Sequence, residues 1–170
     1  MMPQASVKRI INPWILILPH FQRLYGFEQG GLSFVYPIST ALNGLGELNG
    51  SGCTPRGWHQ IHSIIGNDCP INSVFVGRVW TQECYSSALT LQYPQRDWIL
   101  TRILRLDGLE PGRNKGDGVD SFSRYIYIHG TPEPMQKNKP LSHGCIRMQN
   151  QDVIDLANWV EEGTKVYIHG

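Results

Sequence analysis

The chain has 170 residues, the size of one domain, and 41% hydrophobic against 17% charged residues allows a sizeable core and excludes intrinsic disorder. Lys and Arg number 15 and Asp and Glu 14, so the net charge is +1, and no basic stripe marks a nucleic-acid binder that works by neutralising phosphates. Glycine (18) and proline (11) are frequent, as turns between short strands require.

At the N-terminus, Lys8-Arg9 and the run IINPWILIL have the outline of a signal peptide. Asn12-Pro13 breaks that run, Pro19 closes it, and no small-x-small cleavage site follows. Nothing approaches the roughly 18 apolar residues of a membrane span, so no span is expected. Residues 1–13 therefore read as an N-terminal extension, WILIL as a buried strand, and 14–170 as a single domain. Apolar, β-branched and aromatic stretches between turn signals predict strands at 14–18, 32–38, 58–65, 73–79, 98–106, 121–129 and 164–168, with a weaker one at 21–25. Glycine-rich loops are expected at 28–31, 43–52 and 110–118. Residues 81–94 have room for a short helix. Within 121–129 the alternation places Ser123, Tyr125, Tyr127 and His129 on one face. Val153, Leu156, Ala157 and Val160 form one helical stripe, with Asn150 as N-cap, Asp152 in the first turn and Gly163 as terminator. The expected class is mainly β with one or two helices packed on the sheet.

Chemistry concentrates in PLSHGCIRMQN (140–150). A free thiol titrates near ~8.5, so it needs a base to become a nucleophile. His129 ends a predicted strand, and the proline- and lysine-rich loop after it can fold back to bring Cys145 beside its ring. Gly144 allows a tight bend, so the backbone N–H groups of Gly144 and Cys145 can face a developing oxyanion, worth ~3–4 kcal/mol in a transition state. Arg147, extended, points to the same side as Cys145 and is suited to a substrate carboxylate, though bracing the loop is an equal reading. His143 reads as structural, holding the turn through its ring N–H groups. Cys53, Cys69 and Cys84 read as small packing residues, and His20, His59 and His62 as hydrogen-bonded structural histidines. No CxxC pair exists, which argues against structural zinc. Metal binding by His129, His143 and Cys145 would consume the thiol and lacks a neighbouring carboxylate, so no metal and no cofactor are expected. The irregular cysteine spacing predicts free thiols in a reducing compartment.

His129-Gly130 followed by Ser142-His143-Gly144-Cys145-Ile146-Arg147 resembles the signature of the YkuD-type L,D-transpeptidase catalytic domain. Residues 14–40, the turn CTPRGWHQI at 53–61 and the stretch 152–168 resemble the same family. The resemblance implies a β-sandwich-like domain acting on murein stem peptides, as a tetrapeptide or muropeptide, at the bond between an L-configured centre and D-alanine. It makes Cys145 the nucleophile, His129 the base and the Gly130 carbonyl the group that orients His129. Gly144 and Cys145 would supply the oxyanion hole, and Arg147, His143, Ser142, Tyr127 and Trp58 would contact substrate. Arg124 is a further cleft candidate. A carbapenem is expected to acylate Cys145.

Water as the acceptor makes an L,D-carboxypeptidase, and an amine makes an L,D-transpeptidase that forms 3-3 cross-links or exchanges D-amino acids. The lack of a fitting export signal and of a wall-binding module, with reduced cysteines, favours a cytoplasmic carboxypeptidase that releases D-alanine during peptidoglycan recycling. A periplasmic placement follows instead if the native N-terminus has been trimmed. A silent muropeptide-binding sensor is the non-enzymatic alternative, against which the presence of both His129 and Cys145 counts. A redox sensor is weaker, because no resolving cysteine is near in sequence.

Overall fold

The computed structural model describes residues 12–136 and 138–170. The expected extension at 1–13 lies outside them except for Asn12 and Pro13. Among the described residues there are β1 (Trp14–Leu18), β2 (Arg23–Glu28), β3 (Gly31–Ser39), β4 (Gly57–Ile65), β5 (Ser73–Val76), β6 (Val79–Cys84), α1 (Ser87–Gln92), β7 (Ile99–Gly108), β8 (Tyr127–Gly130), β9 (Ile146–Met148), α2 (Asn150–Trp159) and β10 (Lys165–Ile168).

The strands join in the order β4-β10-β1-β2-β3-β9-β8-β7, and β7 pairs back onto β4. The sheet is therefore a closed eight-stranded barrel, and the sandwich-like expectation is corrected. Closure is visible at single residues. Gln60 of β4 faces Lys165 on one flank and Asp107 on the other, and His59 faces Val166 and Gly108. A sandwich would leave β4 an open edge, whereas here both of its flanks are paired. Alternation in the sequence reports inside and outside but is silent on whether the last strand meets the first.

Inward positions fill the barrel. Ile15, Ile17, Leu24, Ile61, Leu104, Ile128, Ile146 and Val166 are fully buried in one cluster, and Val153, Leu156 and Ala157 of α2 join it. Each such aliphatic side chain stabilises the fold by roughly 1.5–3 kcal/mol relative to exposure. The predicted stripe on α2 thus faces the core.

Four local expectations change, the first being the single strand expected at 73–79, which a turn at Gly77-Arg78 splits into β5 and β6. Asn150 is the first helical residue rather than the cap, which is Gln149. Its buried amide instead donates to the Thr131 carbonyl at 2.9 Å and accepts from the Thr101 hydroxyl. Gly163 follows the helix end at Val160 by three positions, and its N–H donates to the Ile61 carbonyl at 2.8 Å. Residues 121–125 are a turn rather than the start of a strand, with Tyr125 at φ 56°. Asp120 wins over the alternation there: its carboxylate accepts from Ser123 N–H (2.9 Å), the Ser123 hydroxyl (2.8 Å) and Gly116 N–H (2.8 Å).

The β5–β6 hairpin extends from β7 beyond the closed ring. Its turn is Gly77-Arg78, both at positive φ (56° and 66°), the geometry of a tight type I′ hairpin. That turn reaches over β8, where Arg78 Nη1 donates to the Tyr127 hydroxyl at 3.1 Å.

Candidate active site

The parallel pairing of β8 with β9 sets Ile128 opposite Ile146 and His129 opposite Arg147. Ile128 and Ile146 point into the core, so His129 and Arg147 share the opposite face with Tyr127 and Cys145. The sequence expectation for Cys145 and His129 thus has a concrete geometry: both line one cavity of about 270 Å³ together with Arg78, Asp97, Tyr127 and Arg147.

His129 is buried, and its Nδ1 lies 2.7 Å from the Gly130 carbonyl. A carbonyl only accepts, so Nδ1 carries the proton and Nε2 is the basic nitrogen. Burial pushes the ring down to about 4, against the Gly130 bond and the Asp97 charge, which act upward. Gly130 has no space for a side chain: a Cβ there would meet the Leu100 carbonyl at 2.7 Å and would collide with Asn150 Oδ1. The orienting carbonyl is therefore fixed by close packing of β8 against β7 and α2.

The Cys145 sulfur accepts from Tyr127 N–H at 3.3 Å and donates to the Tyr125 carbonyl at 3.3 Å. No hydrogen bond joins it to the His129 ring among the described residues. Burial pushes the thiol up to about 12, with the Tyr127 N–H and the Arg147 and Arg124 charges acting downward. At neutral pH the resting pair is therefore a neutral thiol and a neutral imidazole.

The turn that presents the sulfur is held at several points. Gly144 sits at φ 134°, and a Cβ there would press on Ile126 Cδ1 (3.1 Å) and the Cys53 carbonyl (3.3 Å). Ser142, also buried, accepts from Gly144 N–H at 3.2 Å and donates to the Cys145 carbonyl. Thr54 Oγ1 donates to the Gly144 carbonyl (2.9 Å) and accepts from Ala41 N–H (3.0 Å). Arg124 donates to the carbonyls of Gly46, Glu47 and Cys53, bracing the loop behind the turn. Of the two expected oxyanion donors, Gly144 N–H is engaged by Ser142, while Cys145 N–H has no partner among the described residues.

The other expected contacts divide. Arg147 lines the cavity, and its Nη2 holds the Asp97 carboxylate at 3.2 Å. Tyr127 lines it with its hydroxyl bound by Arg78. Ser142 lines it too, but its hydroxyl is committed inside the turn. His143 does not hold the turn as expected. Its side chain is 81% exposed and its Nδ1 lies 4.0 Å from Asp97, while Ser142 and Thr54 do the holding. Trp58 lines neither this cavity nor the adjoining one. It sits on the barrel's outer surface against Trp14 and Tyr167. Asp97 and Arg78 were missed by sequence reasoning. Gly-Arg between two alternating stretches is a legible hairpin turn, but nothing in QRDW announces that Asp97 reaches Arg147.

A second cavity of about 380 Å³ adjoins the first and shares Asp97, His143 and Arg147 with it. Among the described residues no group of three His, Cys, Asp or Glu side chains could hold a metal ion, and no helix is long and apolar enough to cross a membrane.

A family model described as YkuD, L,D-transpeptidase catalytic domain, matches residues 12–168. A Bacillus subtilis (strain 168) protein, YkuD, named provisionally as an L,D-transpeptidase, is 52% identical over 60 residues, which cover 35% of this chain and 37% of that protein. The fold is similar to an L,D-transpeptidase from Mycobacterium smegmatis (TM-score 0.59, 15% identity, 94% of this chain and 59% of that one). It is also similar to L,D-transpeptidase 3 from Mycobacterium tuberculosis in complex with a faropenem-derived adduct (TM-score 0.56, 16% identity, 93% of this chain and 60% of that one). The matched region is thus only about a third of the curated relative and less than two thirds of either solved chain.

Proposed function

This chain belongs to the YkuD family of L,D-transpeptidase catalytic domains, and from that premise we propose that it is a cysteine acyltransferase of peptidoglycan stem peptides. The observation that carries the reading is one cavity lined by Cys145 and by a histidine whose Nδ1 is fixed on a carbonyl, leaving Nε2 for the proton. Cys145 attacks the carbonyl of the L-centre as its proton passes to His129 Nε2. The oxyanion takes the free Cys145 N–H, and His129 returns the proton to the departing D-alanine amine. The neutral resting pair suits this order, because charge develops on sulfur only during attack.

An amine of a second stem or of a D-amino acid then takes the acyl group, which makes the enzyme a transpeptidase. The names of the matched relatives support an amine over the water expected from the sequence. The faropenem-derived adduct of the mycobacterial neighbour, and the imipenem complex of a second neighbour, LD transpeptidase LdtMt1, support the reading that a carbapenem acylates Cys145. A soluble tetrapeptide stem, incubated with the protein and an amine acceptor and followed by mass spectrometry, tests the choice. Cross-linked dimer or exchanged D-amino acid is the expected product. Tripeptide plus D-alanine alone would make it a carboxypeptidase, and unchanged substrate would leave a binding module.

A further inference from the structure

Asp97 and Arg147 stand where the two cavities meet, and both line each cavity. Their ion pair is thin. Asp97 takes a single N–H of the guanidinium at 3.2 Å, while Arg147 Nε is buried without a partner. The Asp97 side chain is 49% exposed, so water screens the pair from that side. Little therefore opposes its exchange for other partners. The guanidinium has N–H donors beyond the single one that Asp97 uses, so an incoming carboxylate can share it, although the enclosed Nε is not among those it reaches.

The backbone around Asp97 is held firmly. Arg96 stacks on Tyr93 at 3.9 Å, lies over Trp98 at 5.3 Å and pairs with Glu83 at 3.4 Å. Trp98 in turn packs edge-on against Tyr85 at 5.0 Å. Releasing Arg147 thus requires only that the Asp97 side chain rotate, not that the segment move.

We propose that Asp97 and Arg147 form a partner-exchanging seat for an α-amino-acid head group, in which the guanidinium takes the carboxylate and Asp97 takes the ammonium. A plain carboxylate on Arg147 leaves the half-exposed Asp97 to water alone, with no gain from its charge. A plain ammonium on Asp97 would strand Arg147. A zwitterion leaves neither charge unpaired, so the seat selects for the two charges together. The D-alanine released in the reaction is such a head group. Asp97 also acts on the chemistry, since its charge opposes ionisation of Cys145. An ammonium seated on it weakens that opposition and links occupancy to the nucleophile.

This rests on the acyl-transfer reading for its substrate but is tested without turnover. Cys145→Ala protein is titrated with D-alanine, N-acetyl-D-alanine (carboxylate only) and D-alaninamide (ammonium only), with binding followed by NMR shifts. D-alanine is expected to bind about tenfold more tightly than either analogue. Adding Asp97→Asn should bring D-alanine and N-acetyl-D-alanine within about twofold of each other, and Asp97→Glu should restore the preference. Equal binding of the three probes, or a preference that Asp97→Asn leaves untouched, overturns the seat. If Asp97→Asn fails to fold, Asp97→Ser is read in its place. Loss of acyl transfer with the head-group preference intact would remove the enzymatic reading and leave the seat standing.

Discussion

Replacing Thr54 with valine keeps the side chain's shape and deletes one hydroxyl that serves two backbone groups. Thr54 is fully buried, accepting from Ala41 N–H at 3.0 Å and donating to the Gly144 carbonyl at 2.9 Å. In the variant both groups stay buried and lose that partner. Each unsatisfied group costs about 1–3 kcal/mol, so the pair should destabilise the fold by about 2–6 kcal/mol. That is a large share of the roughly 5–15 kcal/mol that holds a domain together. The Gly144 carbonyl belongs to the turn that presents Cys145, so the sulfur should also be misplaced. Urea denaturation followed by tryptophan fluorescence reads the first effect, and imipenem acylation under fully folding conditions reads the second. Acylation should slow by about tenfold or more, since small misplacements of reacting groups carry such losses. Thr54→Ser should recover both. A valine variant within about 0.5 kcal/mol of the native chain, the scale of a neutral surface change, would refute the idea that Thr54 braces the turn.

Gly130→Ala should destabilise by about 1–3 kcal/mol or more and abolish acylation, because its methyl group runs into the Leu100 carbonyl and Asn150; a folded, active variant would contradict the packing account. His59, buried between the Gly57 carbonyl and the Ser121 hydroxyl, is held down to about 4 by burial. Below its ordinary value the unfolded chain binds a proton that the folded chain refuses, so stability is full above about pH 6.5 and falls toward pH 4, by about 3 kcal/mol from this residue. Urea midpoints that stay flat from pH 7 to pH 4.5 would contradict this. Because burial pushes the Cys145 thiol up to about 12, its alkylation by iodoacetamide should keep rising beyond pH 10; a plateau near the ordinary thiol value of about 8.5 would show the sulfur to be better solvated than its surroundings imply.

What could be read from the sequence was chemistry and local period. β1 falls at 14–18 as expected, because WILIL alternates core-facing Ile15 and Ile17 with outward residues. The α2 stripe and the shared cavity of Cys145 and His129 also follow from spacing and signature. Barrel closure did not, since it depends on β4 pairing on both flanks, a property of register across distant segments. Residues 121–125 misled because an alternating pattern was outweighed by the carboxylate of Asp120 gathering three donors. β9 was hidden because Ile146–Met148 is only three residues long and lies inside the chemical signature. Asp97 was invisible for a different reason. Its partner Arg147 is fifty residues away, and only the fold brings them to 3.2 Å.

Covalent capture of substrate by the Cys145 sulfur is the step on which the proposed acyl transfer depends. Intact-mass spectrometry after imipenem treatment, with peptide mapping of the adduct, measures this most directly. The expected result is a single adduct on the peptide carrying Cys145, absent from Cys145→Ala and strongly slowed in His129→Ala. An adduct carried instead by Cys53, Cys69 or Cys84, or none at all on folded native protein, would contradict it.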